Sequence, residues 1–365
     1  MIRTLAFMVS LAPAYATAQL SSFPIDKLPV KNVIPNLSYI PAKSFTSLSY
    51  IGKDTVLNYR ARNSSVMGFY ISKTEVTNRE YRQFTQYVKD SIAHTLLHHF
   101  KEGDMLDWNQ PIDWKDKALD PMMVPAEDRL YDRPDVDAGK LYYNIEWNGK
   151  QQTIPVYPDT LVWITDFSFS YNEPLAKKYF SSPEYDAFPV VGVNLKQAKA
   201  FCEWKTSRIN EKLKARSDSR YSVQVRMPTN AEWESAAFDT KDSLAFVSNN
   251  RNYNCNFGPI MKDGLLSKDY KDDGYFYTGP VKSFEAGPYG LYDMKGNIAE
   301  WTTTPLEEIM DAEVREDKKE TVFVAKGGGW NSSPFYIQTG VCQFFNSSEM
   351  HSYLGFRYVV YVVHK

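Results

Sequence analysis

Three times in this chain a short β-prone run leads into a capping residue followed three positions later by Glu or Gln, and no other feature constrains the fold as tightly. FYISKTEV runs into Thr77-x-x-Glu80, VVGVN ends on Asn194-x-x-Gln197, and YSVQVRM is followed by Thr229-x-x-Glu232. An N-cap oxygen accepts a backbone N–H of the first helical turn, and the acid or amide at N3 reaches back to the cap's own N–H. Each junction therefore marks a helix start. Apolar residues then recur at helical spacing: Tyr81, Phe84, Val88 and Ile92 after the first cap, Ala198, Phe201, Cys202 and Ile209 after the second. The spacing predicts helices from about Asn78, from just after Asn194 and from just after Thr229, with Cys202 on a packed face.

Between the first two helices, residues 99–186 carry signals of their own. LYYNIEW and QQTIPVY flank Asn148-Gly149, a pair that favours a two-residue hairpin turn, and DTLVWITDFSFSY is a further β-rich run. This reads as a folded insertion, since it is rich in Trp, Tyr and Phe. After Ala237 the chain turns irregular, with many Gly, Asn and Tyr residues. His94 and His98 are four apart but lack the adjacent Glu of a zinc-protease motif, and they read as a solvated helix face.

The N-terminus has Arg3, an apolar run from Leu5 to Ala14, and Ala16-Thr17-Ala18, the small-x-small form that signal peptidases accept, so residues 1–18 are expected to be a signal peptide. Residues 19–44, with Pro24, Pro29, Pro35 and Pro41, read as an extended arm, and 45–365 as one domain. Lys plus Arg is 42 against Asp plus Glu 44, which gives no field to draw in nucleic acid. The three cysteines, Cys202, Cys255 and Cys342, lie far beyond the leader, so no lipid anchor is expected and no disulfide framework is implied.

Five blocks now stand in order: FYISKTEVTNREYRQF, PVVGVNLKQAKAFCEW, RMPTNAEWESAAF, GPYGLYDMKGNIAEW, and VAKGGGW with GFRYVV. Together they resemble the formylglycine-generating-enzyme and sulfatase-modifying-factor family, which implies an irregular, C-type-lectin-like α+β fold carrying a long insertion. EVTNREYRQFTQYVKDSIAH, the segment from Tyr157 to Asn194, and the insertion itself resemble the GldK/PorK group of gliding motility and type IX secretion.

The resemblance implies particular residues. Formylglycine formation uses two thiols, which suit Cu(I), at fixed distance after the Gly-Gly-x-Trp element; counted from Gly327 to Trp330, those positions hold Ser332 and Ile337, so neither copper nor catalysis is expected. Two calcium sites are implied. One comprises Asn254 and Asp273 with the carbonyls of Cys255 and Tyr275; the other, Asp293 and Glu300 with the carbonyls of Gly296 and Ile298. The group resemblance further implies a periplasmic scaffold at the outer membrane, oligomeric, pairing with a GldN/PorN-like ring subunit and outer-membrane secretion components. Trp108, Trp114, Tyr142, Tyr143 and Trp147 in the insertion are the partner-binding candidates. Two alternatives remain open: a carbohydrate- or peptide-binding module with Trp301 and Trp330 as stacking platforms, or an enzyme of the family with altered chemistry.

Overall fold

The computed structural model describes residues 34–364, apart from 54–55, 130–134, 168–170, 216–219, 239–252, 263–264, 268–272 and 311–320. The expected signal peptide and most of the Pro-rich arm lie outside the described residues. The end of the arm is a strand: β1 (Leu37–Ile40) is followed by the long hairpin β2 (Lys43–Lys53) and β3 (Val56–Val66), then β4 (Phe69–Ser72). All four residues of β4 are buried, because it is an inner strand of its sheet.

The first expected helix is α1 (Asn78–Leu96), and its capping box is complete: the Thr77 hydroxyl accepts from the Glu80 amide and the Glu80 carboxylate from the Thr77 amide. The hairpin β5 (Tyr142–Trp147) and β6 (Lys150–Pro155) turns at Asn148 and Gly149, with φ of 50° and 71°, the left-handed pair that a two-residue hairpin demands. After it come two short helices, α2 (Val162–Thr165) and α3 (Glu173–Lys178), and then α4 (Leu195–Ala215). Asn194 and Gln197 close a reciprocal cap on α4 at 2.9 and 3.0 Å. Strand β7 (Tyr221–Arg226) delivers the third capping box, at Thr229 and Glu232, and α5 (Asn230–Ala237).

Beyond α5 the chain is less irregular than its composition suggests. A small hairpin, β8 (Ile260–Lys262) with β9 (Leu265–Ser267), precedes β10 (Ala299–Pro305), β11 (Val322–Lys326), β12 (Gln343–Asn346), β13 (Leu354–Gly355) and β14 (Val359–His364). One sheet runs β1-β4-β14-β7, antiparallel throughout; the other runs β12-β11-β10-β13, with β10 and β13 parallel. The last strand is thus wedged between two strands from much earlier in the sequence.

The main core lies where α1 and α4 meet the first sheet. Tyr81, Phe84, Phe201 and Phe356 are fully buried, with Tyr81 stacked on Phe201 at 5.6 Å and Phe201 edge-on to Phe356 at 5.4 Å. Cys202 belongs to this core, as its helical position required.

Two expectations are corrected. The run at 159–171 is not a strand where it is described: the Asp159 carboxylate accepts the Leu161 amide, and that Asx turn starts α2, so local hydrogen bonding overrides β-propensity. His94 is not solvated. It is 3% exposed, because residues beyond α1 fold back over it: Trp108 stands edge-on to it at 5.2 Å and its Nδ1 is 3.0 Å from that of His99. Burial, then the neighbouring His99, hold its pKa below the ordinary histidine value. His98 is past the helix, with φ of 54°. The insertion contributes to the core itself. Ile145 and Ile154 on the hairpin's inner face join the main core, Tyr81 donates to the Val156 carbonyl at 2.9 Å, and Gln197 donates to the carbonyls of Pro155 and Tyr157.

Candidate functional site

The Gly-rich turn after β11 positions Ser332 and Ile337, the residues that the resemblance leads one to expect at the family's thiol positions. Gly327 and Gly328 have φ of 88° and 65°, and a Cβ on Gly328 would stand 2.9 Å from the Ile337 side chain, so glycine is required for the chain to fold back here. Ser332 accepts the Gly329 amide through its hydroxyl at 2.9 Å. Ile337 is fully buried, in an apolar cluster with Cys255 and Phe257. A hydroxyl engaged in a turn and a buried alkyl chain therefore occupy the two positions. Cys342 lies elsewhere, buried beside Lys326, whose ammonium is 3.6 Å from its sulfur and 2.9 Å from Glu234. All three cysteines are buried, and none forms a disulfide.

Neither tryptophan offered as a stacking platform presents a face to solvent. Trp301 is 0% exposed and donates to the Val193 carbonyl; Trp330 is 5% exposed, donates to the Ser352 carbonyl, and packs against Phe167 and Tyr277 at 5.2 and 5.1 Å. A hollow of about 340 Å³ bordered by Tyr185, Phe188, Tyr275 and Phe276 shares Trp163 and Tyr277 with the aromatic packing around Trp330.

The residues implied for calcium lie on loops that touch. Asn254 accepts the Glu285 amide at 3.1 Å, and Asp273 accepts the amides of Tyr275 at 2.9 Å and Phe257 at 3.3 Å, which ties the loop carrying Cys255 to the loop carrying Tyr275. The second loop packs against the same place. Asn297 donates its amide to the Asn256 carbonyl at 2.7 Å, and Gly296, with φ of 75°, donates to the Gly327 carbonyl at 2.8 Å.

Around Glu300 the side chains form a charged cluster that sequence reasoning only half found. Arg357 grips Glu300 through two bonds of 2.6 Å, and Trp233 donates to the same carboxylate at 2.7 Å. Both Arg357 and Glu300 are 0% exposed. Glu75, just after β4, is equally buried; its Oε1 accepts from Asn297 at 2.9 Å. Asp293 accepts the Lys282 amide through Oδ2 at 2.8 Å. The remaining oxygens, Glu75 Oε2 and Asp293 Oδ1, are buried and have no hydrogen-bond donor among the described residues. Burial, then the charge of Asp293, raise the Glu75 pKa well above the usual carboxylate range; burial, with Glu300 adding to it, pushes Asp293 up to about 6.

The calcium ligands fit in part. Asp293 Oδ1 is an unsatisfied hard oxygen of the type calcium takes, whereas the Glu300 carboxylate is turned onto a guanidinium and an indole. Among the described residues, no three His, Cys, Asp or Glu side chains converge as a metal cage. Any ion here therefore depends on backbone carbonyls as well. Glu75 and Arg357 were missed because Glu75 reads as a surface acid beside a helix cap and Arg357 sits in a closing block without a partner nearby in sequence.

Of the five insertion aromatics expected at a partner surface, three turn inward. Tyr143 stands edge-on to Phe84 at 5.4 Å, Trp147 packs near Phe323 at 6.1 Å, and Trp114 lies against the core under the Lys89 ammonium at 4.6 Å. Trp108 and Tyr142 remain 42% and 47% exposed.

A loop-rich α+β domain with one antiparallel and one mixed four-stranded sheet, a Gly-Gly-Gly-Trp turn and buried acidic loops defines a fold class that comparison with known proteins names. The profile of the sulfatase-modifying factor enzyme 1-like domain matches residues 29–362, and the chain belongs to that family. It is 28% identical to a formylglycine-generating enzyme of Thermomonospora curvata over 190 residues, 46% of this chain and 54% of that protein. To an inactive C-alpha-formylglycine-generating enzyme 2 of Bos taurus it is 28% identical over 144 residues, 39% of this chain and 38% of that one. The matches thus span about half or less of these relatives' lengths. Among solved structures, PvdO from Pseudomonas aeruginosa aligns over 90% of this chain and 95% of its own, with a TM-score of 0.45 and 18% identity.

Proposed function

We propose that this chain is a non-catalytic structural subunit of an exported assembly, held in the periplasm at the outer membrane as a scaffold of the GldK/PorK kind in gliding motility and type IX secretion. The observation that carries the non-catalytic half is the pair Ser332 and Ile337: neither side chain holds Cu(I), and Ile337 is buried in an apolar cluster with Cys255 and Phe257. A family that includes a relative named as inactive makes loss of chemistry on this fold a known outcome. The scaffold half rests on the resemblance of the first helix and the insertion to that group. Its partner would be a GldN/PorN-like ring subunit, met by the exposed insertion aromatics Trp108 and Tyr142. Calcium would pin the loops through Asn254, Asp273 and the carbonyls of Cys255 and Tyr275, and through Asp293 with the carbonyls of Gly296 and Ile298.

Two measurements test this. Purified protein loaded with copper should leave a Cys-containing sulfatase peptide unconverted; formation of formylglycine would refute the first half. Trp108→Ala with Tyr142→Ala should leave the exported protein folded but reduce copurification of its ring partner; undiminished partner recovery would exclude this surface. A second reading, as a binding module, draws on the aromatic hollow at Tyr185, Phe188, Tyr275 and Phe276, and saturable binding of a glycan or peptide by the isolated protein would favour it.

A further inference from the structure

The insertion leaves one aromatic side chain almost wholly in water beside a hollow lined with aromatics. Tyr171 is 93% exposed, and the next residue, Asn172, is buried and accepts the Tyr277 hydroxyl at 3.0 Å. Tyr277 belongs to the wall of the hollow of about 340 Å³, together with Trp163, Leu175, Tyr179 and Phe276. Tyr171 thus stands next to a socket that it does not fill. The surroundings are apolar too: Phe276 is 55% exposed, and α2, packed against α3, adds Leu161 and Ile164 at 58% and 37%. Exposed apolar groups gathered in one place mark a surface that another molecule covers.

The chemistry of the socket narrows what that molecule is. No charged side chain lines it among the described residues, and three of its four tyrosines already donate their hydroxyls, Tyr179 to the Pro189 carbonyl, Tyr275 to Ser283 and Tyr277 to Asn172. A sugar, whose hydroxyls need polar partners, meets few donors here. An aromatic ring meets faces and edges. The charges beside the socket point to a second copy of the chain. Glu173 and Lys177 are exposed and, four residues apart, share one face of α3, while Leu175 between them turns to the socket wall. A twofold axis crossing α3 at the level of Leu175 runs the two helices antiparallel and sets Glu173 of each copy against Lys177 of the other. The same axis brings each Tyr171 level with Tyr179, in the socket of its mate. Knob with socket and acid with base are therefore complementary under one rotation, as an isologous pair requires.

We propose that this patch is a homodimer interface in which Tyr171 of each copy enters the aromatic hollow of the other, with Glu173 and Lys177 pairing across the axis. The inference adds an interface to the oligomeric scaffold proposed above and does not use Trp108 or Tyr142. Because the rotation closes the pair, the patch gives dimers and not filaments, and a ring built from this chain grows through other contacts.

The test uses the full exported chain in sedimentation velocity over a concentration series, with thermal melting as the control for folding. Wild type should pass from monomer to dimer as concentration rises. Tyr171→Ala should weaken the dimer about thirtyfold, the weight of a tyrosine anchor at an interface, and should leave the melting of the monomer unchanged, since the side chain is in water there. Glu173→Lys and Lys177→Glu should each weaken self-association about tenfold. An equimolar mixture of those two variants should recover wild-type affinity, because each mixed pair again sets Lys against Glu at both contacts. Rescue in the mixture, with neither variant associating alone, excludes an effect confined to one chain. Wild type that stays monomeric at its highest soluble concentration would overturn the proposal. So would a dimer that Tyr171→Ala leaves intact, or a mixture no stronger than its components. Saturable glycan binding at the hollow of a protein that remains monomeric would assign the socket to a ligand instead. Copurification of the ring partner is followed separately in the chain carrying Trp108→Ala and Tyr142→Ala, so that failure of that surface leaves this result standing.

Discussion

Phe201 and Glu300 are both fully buried, yet they are held by opposite means. Phe201 is surrounded by rings from α1, α4 and the closing segment, at 5.4 to 6.4 Å, and depends on the quantity of apolar surface removed from water. Glu300 is held by a guanidinium and an indole, and its stability depends on every charged neighbour being in place. The helical half should tolerate exchange of one hydrocarbon shape for another of similar volume, whereas the loop half should suffer from the loss of a single partner. Burial alone therefore says little about what a substitution will do. The means of compensation decides it.

Breaking each centre should expose the contrast. Arg357→Met leaves Glu300 charged and unpaired in the core and should cost about 3–5 kcal/mol in urea unfolding, a loss that Glu300→Gln in the same chain should partly restore. Phe201→Ala should cost about 3–5 kcal/mol as well, by cavity formation, and no charge-neutralising second change should rescue it. If Glu300→Gln fails to restore the first variant, the loop half is not governed by charge compensation. Smaller effects sharpen the picture at the edges. Thr77→Ala removes the cap of α1 and should cost about 1 kcal/mol, with Thr229→Ala similar, and equal melting of either variant and wild type would show the caps to be dispensable.

The smallest expected effect is on pH dependence. Asp166, near the end of the insertion, accepts from His351 at 3.0 Å and from the Ser352 amide at 2.7 Å. Burial opposes charge on His351, but its bond to Asp166 and the carboxylate of Glu349 hold its pKa above the ordinary value; burial likewise raises Asp166, and the His351 bond overcomes it and lowers it. The histidine's contribution is complete below about pH 6.5 and is lost as pH rises through its raised folded value, while that of Asp166 is present above about pH 3.8 and is lost on acidification through its lowered one. The melting gap between wild type and His351→Gln should thus be widest from about pH 4 to 6.5 and narrow on the alkaline side. A gap independent of pH would show that His351 acts by packing on Tyr353 alone.

The same contrast governs what the sequence disclosed. Tyr81, Phe84 and Val88 announce α1 because helical packing imposes a period, and Asn148-Gly149 announces its hairpin because few residues take that turn. Strand β10 is silent by comparison: five of its seven residues are buried on both faces, so it shows no alternation, and the second sheet built around it reads as loop. The charged cluster was legible at Asp293 and Glu300, where a family motif marks them. Glu75 and Arg357 lie within the blocks FYISKTEV and GFRYVV, but nothing in the sequence joins them to that loop, since a buried ion pair between distant segments is a fact of topology. His94 misled for the same reason, because the residue that covers it is Trp108, outside its own helix.

The position of β14 sets the order in which the molecule can form. Its neighbours β4 and β7 have no hydrogen-bonding link to each other until it enters between them, and Arg357, just ahead of it, reaches the Ser72 carbonyl across 285 residues. A chain synthesised from its N-terminus therefore has its first sheet open, with β4 unpaired on one side, until the end of the chain is made. That exposed edge invites strand addition until the last strand comes in. Contacts of such long sequence separation make folding slow. A chaperone that covers β4 and releases it only to β14 would speed assembly more than one that protects the helices.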